Sequence, residues 1–383
     1  MKRILVPVAA AAALCLGLAQ PALADVKIGV IVSATGPAAS LGIPERNTIE
    51  MLPRSIGGEK VDWIVLDDGS DTTRAVTDTR KLISEDHVDV IVGSTITPNS
   101  LAMVDIVANA KTPMISMAAS AKIVDPANPR TYWVFKAPQS DSLMADAVAV
   151  SMKKRGVKAL GYIGFNDAYG DSWLSEIRRS AQIAGIKLVA EEKYNRTDAS
   201  VTGQVLKLMA THPDAILIGA AGTPGATPEK ELIARHYKGL IYQTHGVANP
   251  DFLRVLGKDG NGTELPIGPM LVWEQLPDSN PIKRVAEGYV TAYEAKYGPG
   301  TRATFGGHAY DSYLLLTKAI PAALQKAKPG TPEFRAALRD ALEATSVVGT
   351  NGVFNMTPHD HNGLDNRARV MIRIENGKWV LAE

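Results

Sequence analysis

Three stretches of this chain combine hydroxyl side chains with glycine or asparagine in a way that suits an anion. They are Ser33-Ala34-Thr35-Gly36-Pro37-Ala38-Ala39-Ser40-Leu41-Gly42, Gly93-Ser94-Thr95-Ile96-Thr97-Pro98-Asn99-Ser100 and Met117-Ala118-Ala119-Ser120. Each follows a short β-branched run and leads toward a helical pattern, so unpaired backbone N–H groups gather there, and a carboxylate is the simplest anion to receive them. Taken singly, such Ser, Thr and Asn residues are ordinary helix caps. Three of them on adjacent strands shift the balance toward a ligand site. A second set of loops offers different groups: Phe165-Asn166-Asp167-Ala168-Tyr169-Gly170, Ala220-Ala221-Gly222-Thr223-Pro224 and Thr244-His245-Gly246-Val247-Ala248-Asn249. Aromatic residues make up only 6% of the chain, so Tyr169 with Trp173, and Trp273 just past Gly268, are informative. They could wall an apolar pocket, although Trp173 also reads as a helix core residue.

Covalent and metal chemistry find less support. Ser151-Met152-Lys153-Lys154 matches S-x-x-K, but no S-D-N or K-T-G partner accompanies it, and the tetrapeptide sits on an amphipathic helix with its basic residues toward water. His359-Asp360-His361 and His308 raise the question of a metal, yet no acidic or histidine cluster stands at ligand spacing around them. The G-x-G-x-x-G, G-x-x-x-x-G-K-[ST] and G-x-S-x-G patterns are missing, which withdraws the usual support for dinucleotide, nucleoside triphosphate and hydrolase assignments. An exported hydrolase would need a nucleophile and base that are not visible. No catalytic residue, metal ligand or cofactor is assigned.

The N-terminus narrows the setting. Lys2 and Arg3 precede an apolar stretch from Ile4 to Ala19, followed by Gln20-Pro21-Ala22-Leu23-Ala24, so residues 1–24 read as a secretory signal peptide cleaved before Asp25. The stretch is short for a bilayer span, so a membrane anchor is not expected. The single cysteine, Cys15, falls inside it, which removes disulfides, thiolate sites and cysteine nucleophiles from the mature chain. Without Lys2 and Arg3 the 41 basic residues drop to 39 against 40 acidic ones, and this near-neutral balance offers no bulk attraction to nucleic acid or membrane.

These loops must be positioned by a regular scaffold, and the chain supplies one. From Asp25, β-branched runs (Val26 to Val32, Val61 to Leu66, Val88 to Val92, Pro113 to Ser116) alternate with helical stretches such as Arg74 to Glu85 and Ser100 to Ala110. After Pro138 the alternation restarts with runs at Ala159 to Gly164, Lys187 to Tyr194, Ala215 to Gly219 and Gly239 to Gln243. Two α/β lobes with doubly wound parallel sheets follow from this pattern. Past Gly268 come long helical segments and two final strands. Helices without strands of their own must cover a sheet already made. The expected division is therefore 25–138 with 269–354 as the first lobe and 139–268 with 355–383 as the second, joined by three hinge crossings. In such sheets a ligand lies at the carboxyl ends of the strands, where the loops above are found.

Several ordered stretches carry a family likeness: Val26-Lys27-Ile28-Gly29-Val30 with Thr35-Gly36-Pro37; Leu66-Asp67-Asp68-Gly69-Ser70-Asp71; Lys81-Leu82-Ile83 before Val88-Asp89-Val90-Ile91-Val92-Gly93-Ser94; Pro113-Met114-Ile115-Ser116; Phe135-Lys136 with Ser140-Asp141; and Asn166-Asp167-Ala168-Tyr169-Gly170. In order and spacing the mature chain resembles the substrate-binding proteins of branched-chain amino-acid-type ABC transporters, the leucine/isoleucine/valine-binding group of type I periplasmic architecture. The resemblance implies a periplasmic, monomeric protein that performs no chemistry. It would enclose a small organic acid between two lobes by hinge closure and hand it to an ABC permease with its ATPase subunits. It also implies site roles. Ser94 and Thr95, the backbone of Ala118 and the hydroxyl of Ser120 would hold a carboxylate, Tyr169 would lie over the ligand, and Leu41 would stand where an aromatic wall residue is common. One departure matters. Amino-acid binders of this group carry a glutamate in a Gly-Pro-Glu-Gly-Val loop to pair the α-ammonium, and here that stretch is Gln243-Thr244-His245-Gly246-Val247. A histidine cannot supply the negative charge, and a buried ammonium without a partner is costly. The expected ligand is thus an aromatic acid such as a benzoate or cinnamate relative, with His245 on a polar group of it and Tyr169 and Trp273 flanking its apolar body. A 2-oxo acid, an amino acid paired by another acid such as Asp167, and a ligand-sensing role for the same fold stay open as alternatives.

Overall fold

The computed structural model describes residues 25–382, so the expected signal peptide and Cys15 lie outside the described residues. Two sheets organise the chain, because a strand followed by a helical crossover returns parallel to its predecessor. The first sheet contains β1 (Val26–Val32), β2 (Ser55–Ile56), β3 (Glu59–Asp67), β4 (Val90–Gly93), β5 (Met114–Ser116) and β6 (Val134–Lys136) in the order β2-β3-β1-β4-β5-β6. All neighbours are parallel except the short β2. The second contains β7 (Ala159–Phe165), β8 (Lys187–Tyr194), β9 (Ala215–Gly219), β10 (Leu240–Gln243) and β11 (Glu264–Ile267). A hairpin of β12 (Ser346–Val348) and β13 (Val353–Asn355) stands apart. The chain then ends with β14 (Val370–Glu375) and β15 (Lys378–Leu381), which extend the second sheet antiparallel, giving β15-β14-β11-β10-β9-β7-β8.

The pleat of β1 shows why these segments are strands. Val26, Ile28, Val30 and Val32 point to one face and pack with Leu315, Leu316, Ile320, Phe334 and Leu338 from helices 304–324 and 332–343. Ile31 points to the other face, toward Leu82, Met103 and Val107 of helices 72–84 and 97–110. Both faces are apolar because both are covered, and each of these fully buried aliphatic side chains stabilises the fold by about 1.5–3 kcal/mol. The helices after Gly268 thus do cover the first sheet. Two details differ from the sequence reading. The loop after β1 is shorter than expected, since a helix runs from Ala39 to Ile49 despite Gly42 and Pro44. The strands β6, β11, β12 and β13 are only three or four residues long and carry too little alternation to read from sequence.

Three stretches that link the sheets meet at one point. Gln139 Nε2 donates to the carbonyls of Asn351 (3.1 Å) and Ala368 (2.8 Å), and a Cβ on Gly268 would lie 2.2 Å from Asn351 Oδ1. Glycine is required there for the crossings to pack against each other. The lobes are closed. Leu41, Ile96, Ala119 and Phe305 from the first-sheet side share one apolar cluster with Tyr169, Trp173, Ala220 and Ala221 of the second, and the hydroxyls of Ser120 and Ser172 meet across the gap at 2.8 Å.

Candidate functional site

A cavity of about 350 Å³, measured to the atom surfaces and including its mouth, lies between the lobes at the carboxyl ends of the strands. Its wall is mainly apolar, with Leu41, Ile96, Met117, Ala118, Phe305 and Pro138 among the lining residues. The polar lining comes from Thr95 and Thr97 after β4, Tyr169 after β7, Arg196 after β8, His245 after β10 and His308 on helix 304–324. No lining residue is acidic.

Local chemistry explains how each group is held. Asp167 caps helix 168–184 by accepting from the N–H groups of Tyr169 (2.8 Å) and Gly170 (3.2 Å), which sets the tyrosine at the rim of the second lobe. Thr244 donates to the Ala220 carbonyl, so in the 2.8 Å contact between Tyr169 Oη and Thr244 Oγ1 the tyrosine is the donor. A Cβ at Gly246 would lie 2.6 Å from Tyr169 Oη and 2.8 Å from the Ala220 carbonyl, so only glycine lets the His245 loop close onto the tyrosine. His245 is 3% exposed and its ring stands 5.6 Å from that of Trp173. Neither ring nitrogen has a protein partner. Burial, helped by the charge of Lys136, pushes His245 down to about 3, so the imidazole is neutral and carries one N–H and one bare nitrogen. Burial also holds His308 well below the usual histidine range, and its Nδ1 is likewise unpartnered.

Some of the expected site residues lie off the cavity or have their polar atoms engaged by protein partners. Ser94 is buried away from the cavity with its hydroxyl donating to Asp68 (2.6 Å). Ser120 engages Ser172 across the lobes and accepts from Lys122 N–H, so it serves closure. Trp273 packs beside Met270, Ile282 and Tyr289 under helix 281–297, and Phe305 supplies the aromatic wall on that side. Thr95 lines the cavity, but its hydroxyl accepts from Ser33 N–H and donates to Glu45. Ala118 also lines it, with its N–H given to Ser116 Oγ (3.1 Å). Leu41, Tyr169 and His245 reach the cavity together. Asp167 is engaged with Arg196 (2.7 Å) as well as with the helix start. The His359-Asp360-His361 turn lies outside the cavity lining. His361 stacks on Phe135 and bonds the Val134 carbonyl and Glu343. Ser151 of the S-x-x-K tetrapeptide donates to Glu264 (2.9 Å).

The sequence reading did not single out Thr97, Arg196 or Phe305, and it weighed His308 only as a metal ligand. Arg196 was recoverable, since it follows β8 at the carboxyl edge that the loop rule points to. Phe305 and His308 lie at the start of a helix far along the chain, and no local pattern ties them to the ligand loops. Lys136 is wholly buried beside the cavity, donating to the carbonyls of Ala119 and Pro138, and burial brings it down to about 7 against the pull of Asp141 and Asp360.

Two parallel-sheet lobes linked by three crossings, with a buried, mostly apolar cavity where their strand ends face each other, define a bilobal solute-binding protein. The family profile described as periplasmic binding protein matches residues 25–378, and the chain belongs to that family, with the type I architecture. Members are periplasmic and work with an ABC permease and its ATPase. The chain is 23% identical over 375 residues to Leu/Ile/Val-binding protein homolog 3 of Brucella melitensis, covering 95% of each. An extracellular ligand-binding receptor from Rhodopseudomonas palustris HaA2 is 47% identical with a TM-score of 0.91, over 94% of this chain and all of that one. An R. palustris ABC-transporter solute-binding protein solved in complex with benzoate is 20% identical with a TM-score of 0.80, over 94% and 95% of the two chains, a likeness of fold.

Proposed function

We propose that this protein captures a small aromatic carboxylate without an α-ammonium group and presents the closed, loaded form to an ABC importer. The observation that carries the reading is the cavity's polar inventory: an arginine and two neutral histidines, His245 with both ring nitrogens unpartnered and His308 with Nδ1 unpartnered, and no acid among the lining residues. An α-ammonium would be desolvated there with no anion to meet it, whereas an arene fits the wall of Leu41, Ile96, Met117 and Phe305. On the first-lobe side the carboxylate would meet the opening of helix 97–110. Its first N–H groups lack helical acceptors, and Thr97 is 2% exposed with its hydroxyl unpartnered. The fold likeness to a protein solved with benzoate agrees with such a ligand. Isothermal titration against leucine, benzoate, 4-hydroxybenzoate and coumarate tests the reading. Aromatic acids should bind and leucine should not; micromolar leucine binding with no aromatic-acid response refutes it.

A further inference from the structure

The cavity holds more unmet polar atoms than one carboxylate can satisfy. Thr97 Oγ1 stands unpartnered on the first-lobe wall, and Arg196 Nη1 and both ring nitrogens of His245 stand unpartnered on the second. Arg196 is not a side chain waiting on solvent. Its Nε donates to Asp167 Oδ2 at 2.7 Å, its guanidinium carbon lies 4.1 Å from the centre of the Phe165 ring, and its side chain is 12% exposed. Asp167 is itself pinned by the N–H groups of Tyr169 and Gly170. The guanidinium is thus fixed on two sides with its buried Nη1 left for whatever occupies the cavity, and a buried charged donor without an acceptor is costly.

We infer that the captured acid carries a second oxygen acceptor at the end remote from its carboxylate, and that Arg196 is the residue that selects it. The inference rests on the aromatic-acid reading above. Thr97 and Arg196 belong to opposite lobes and line one cavity, so a single ligand spans them when the lobes close. Asp167 already balances the charge of Arg196, so a neutral oxygen suffices and a second carboxylate is not required. A phenolic hydroxyl fits this best. It accepts from Nη1 and has a proton to give to a bare ring nitrogen of a neutral histidine in the same wall. The ligand class is therefore a ring-hydroxylated aromatic acid, and an unsubstituted ring would leave Nη1 buried against carbon.

Titration calorimetry on the purified protein with benzoate, 4-methylbenzoate and 4-hydroxybenzoate, and with cinnamate and 4-hydroxycinnamate, tests this without any variant, because methyl and hydroxyl are near in size. The hydroxylated acids should bind at least about 10-fold tighter than the methyl or unsubstituted ones, the scale of a hydrogen bond to a charged donor. In Arg196→Gln, and in Arg196→Lys as the milder change, that preference should shrink to within about threefold, while Thr97→Ala weakens every acid alike. Equal affinity for the hydroxy and methyl acids in the unaltered protein overturns the inference and leaves the aromatic-acid reading intact. Equal weakening of benzoate and 4-hydroxybenzoate by Arg196→Gln also overturns it, since Arg196 would then hold the carboxylate. Failure of the unaltered protein to bind any of these acids removes the broader reading and this one with it.

Discussion

Ser120→Ala separates two roles for one hydroxyl. The resemblance placed Ser120 on the ligand carboxylate, whereas the structure sets its Oγ 2.8 Å from Ser172 Oγ on the opposing lobe, both residues buried. Ser172 donates to Asp141, so Ser120 is the donor to Ser172, and the bond exists only when the lobes meet. Removing it leaves Ser172 still donating to Asp141 and short of one accepted bond, a loss of about 1 kcal/mol for a neutral hydrogen bond. If closure is what binding draws on, the closed form becomes about fivefold less favoured and the apparent Kd rises about fivefold for every ligand alike. Calorimetry across a ligand panel reads this directly, and small-angle scattering of the ligand-free protein should show a shift toward the open form. In a Ser172→Ala background the second substitution should add nothing further. A loss above about 100-fold confined to some ligands would put Ser120 back on the ligand and refute the reasoning. An unchanged Kd would show that the bond makes no difference to closure.

Three other outcomes follow from the same structure. His245→Glu places a negative charge in the wall, and at about 6 Å and an effective dielectric constant of about 20 repulsion of a ligand carboxylate costs about 3 kcal/mol. Aromatic-acid affinity should fall about 100-fold by calorimetry, and retained affinity would show that residue 245 does not face the ligand. Glu229 is buried, accepting from Gln243 (2.8 Å) and Thr263, and burial raises its carboxyl from 4.5 to about 7. Because the folded state holds this proton more tightly, its stabilising contribution is complete below pH 4.5 and is lost as pH rises through about 7, to a total of up to about 3 kcal/mol. Urea denaturation of Glu229→Gln at pH 5 and pH 8 should therefore show a smaller drop in stability than the unaltered protein, and an identical drop would contradict the raised value. Gly246→Ala would set a Cβ 2.6 Å from Tyr169 Oη and 2.7 Å from Ala221 Cβ. Overpacking of this kind costs about 1–3 kcal/mol, so the melting temperature should fall by a few degrees and ligand affinity by more than about 10-fold. Unaltered binding would mean that the loop moves freely.

Much of the architecture was legible along the chain. Runs such as Val26–Val32 and Ala215–Gly219 are strands as read, because five to seven mostly β-branched or apolar residues between turn signals have few other stable uses in a sheet covered on both faces. The helix Ala39–Ile49 was not legible, since its Gly42 and Pro44 argue against a helix locally. It forms because it is held against helix 304–324, with Thr48 bonded to Tyr289 some 241 residues away. Leu41, Thr95, Ala118, Tyr169 and His245, expected from loop position and family likeness, line the cavity between the lobes. The hydroxyls of Ser94 and Ser120 and the indole of Trp273 were directed elsewhere by partners that no local pattern shows.

By itself the sequence determined what is local: the alternation that builds two parallel sheets, the loops at their carboxyl ends, and a histidine at 245 where an acid would greet an ammonium. Tertiary structure decided which of many similar polar groups have a partner. Whether a hydroxyl or guanidinium is free to bind a ligand depends on the residue that happens to lie 3 Å away, and for Ser120, Arg196 and His308 that neighbourhood is made only when distant segments close on one another.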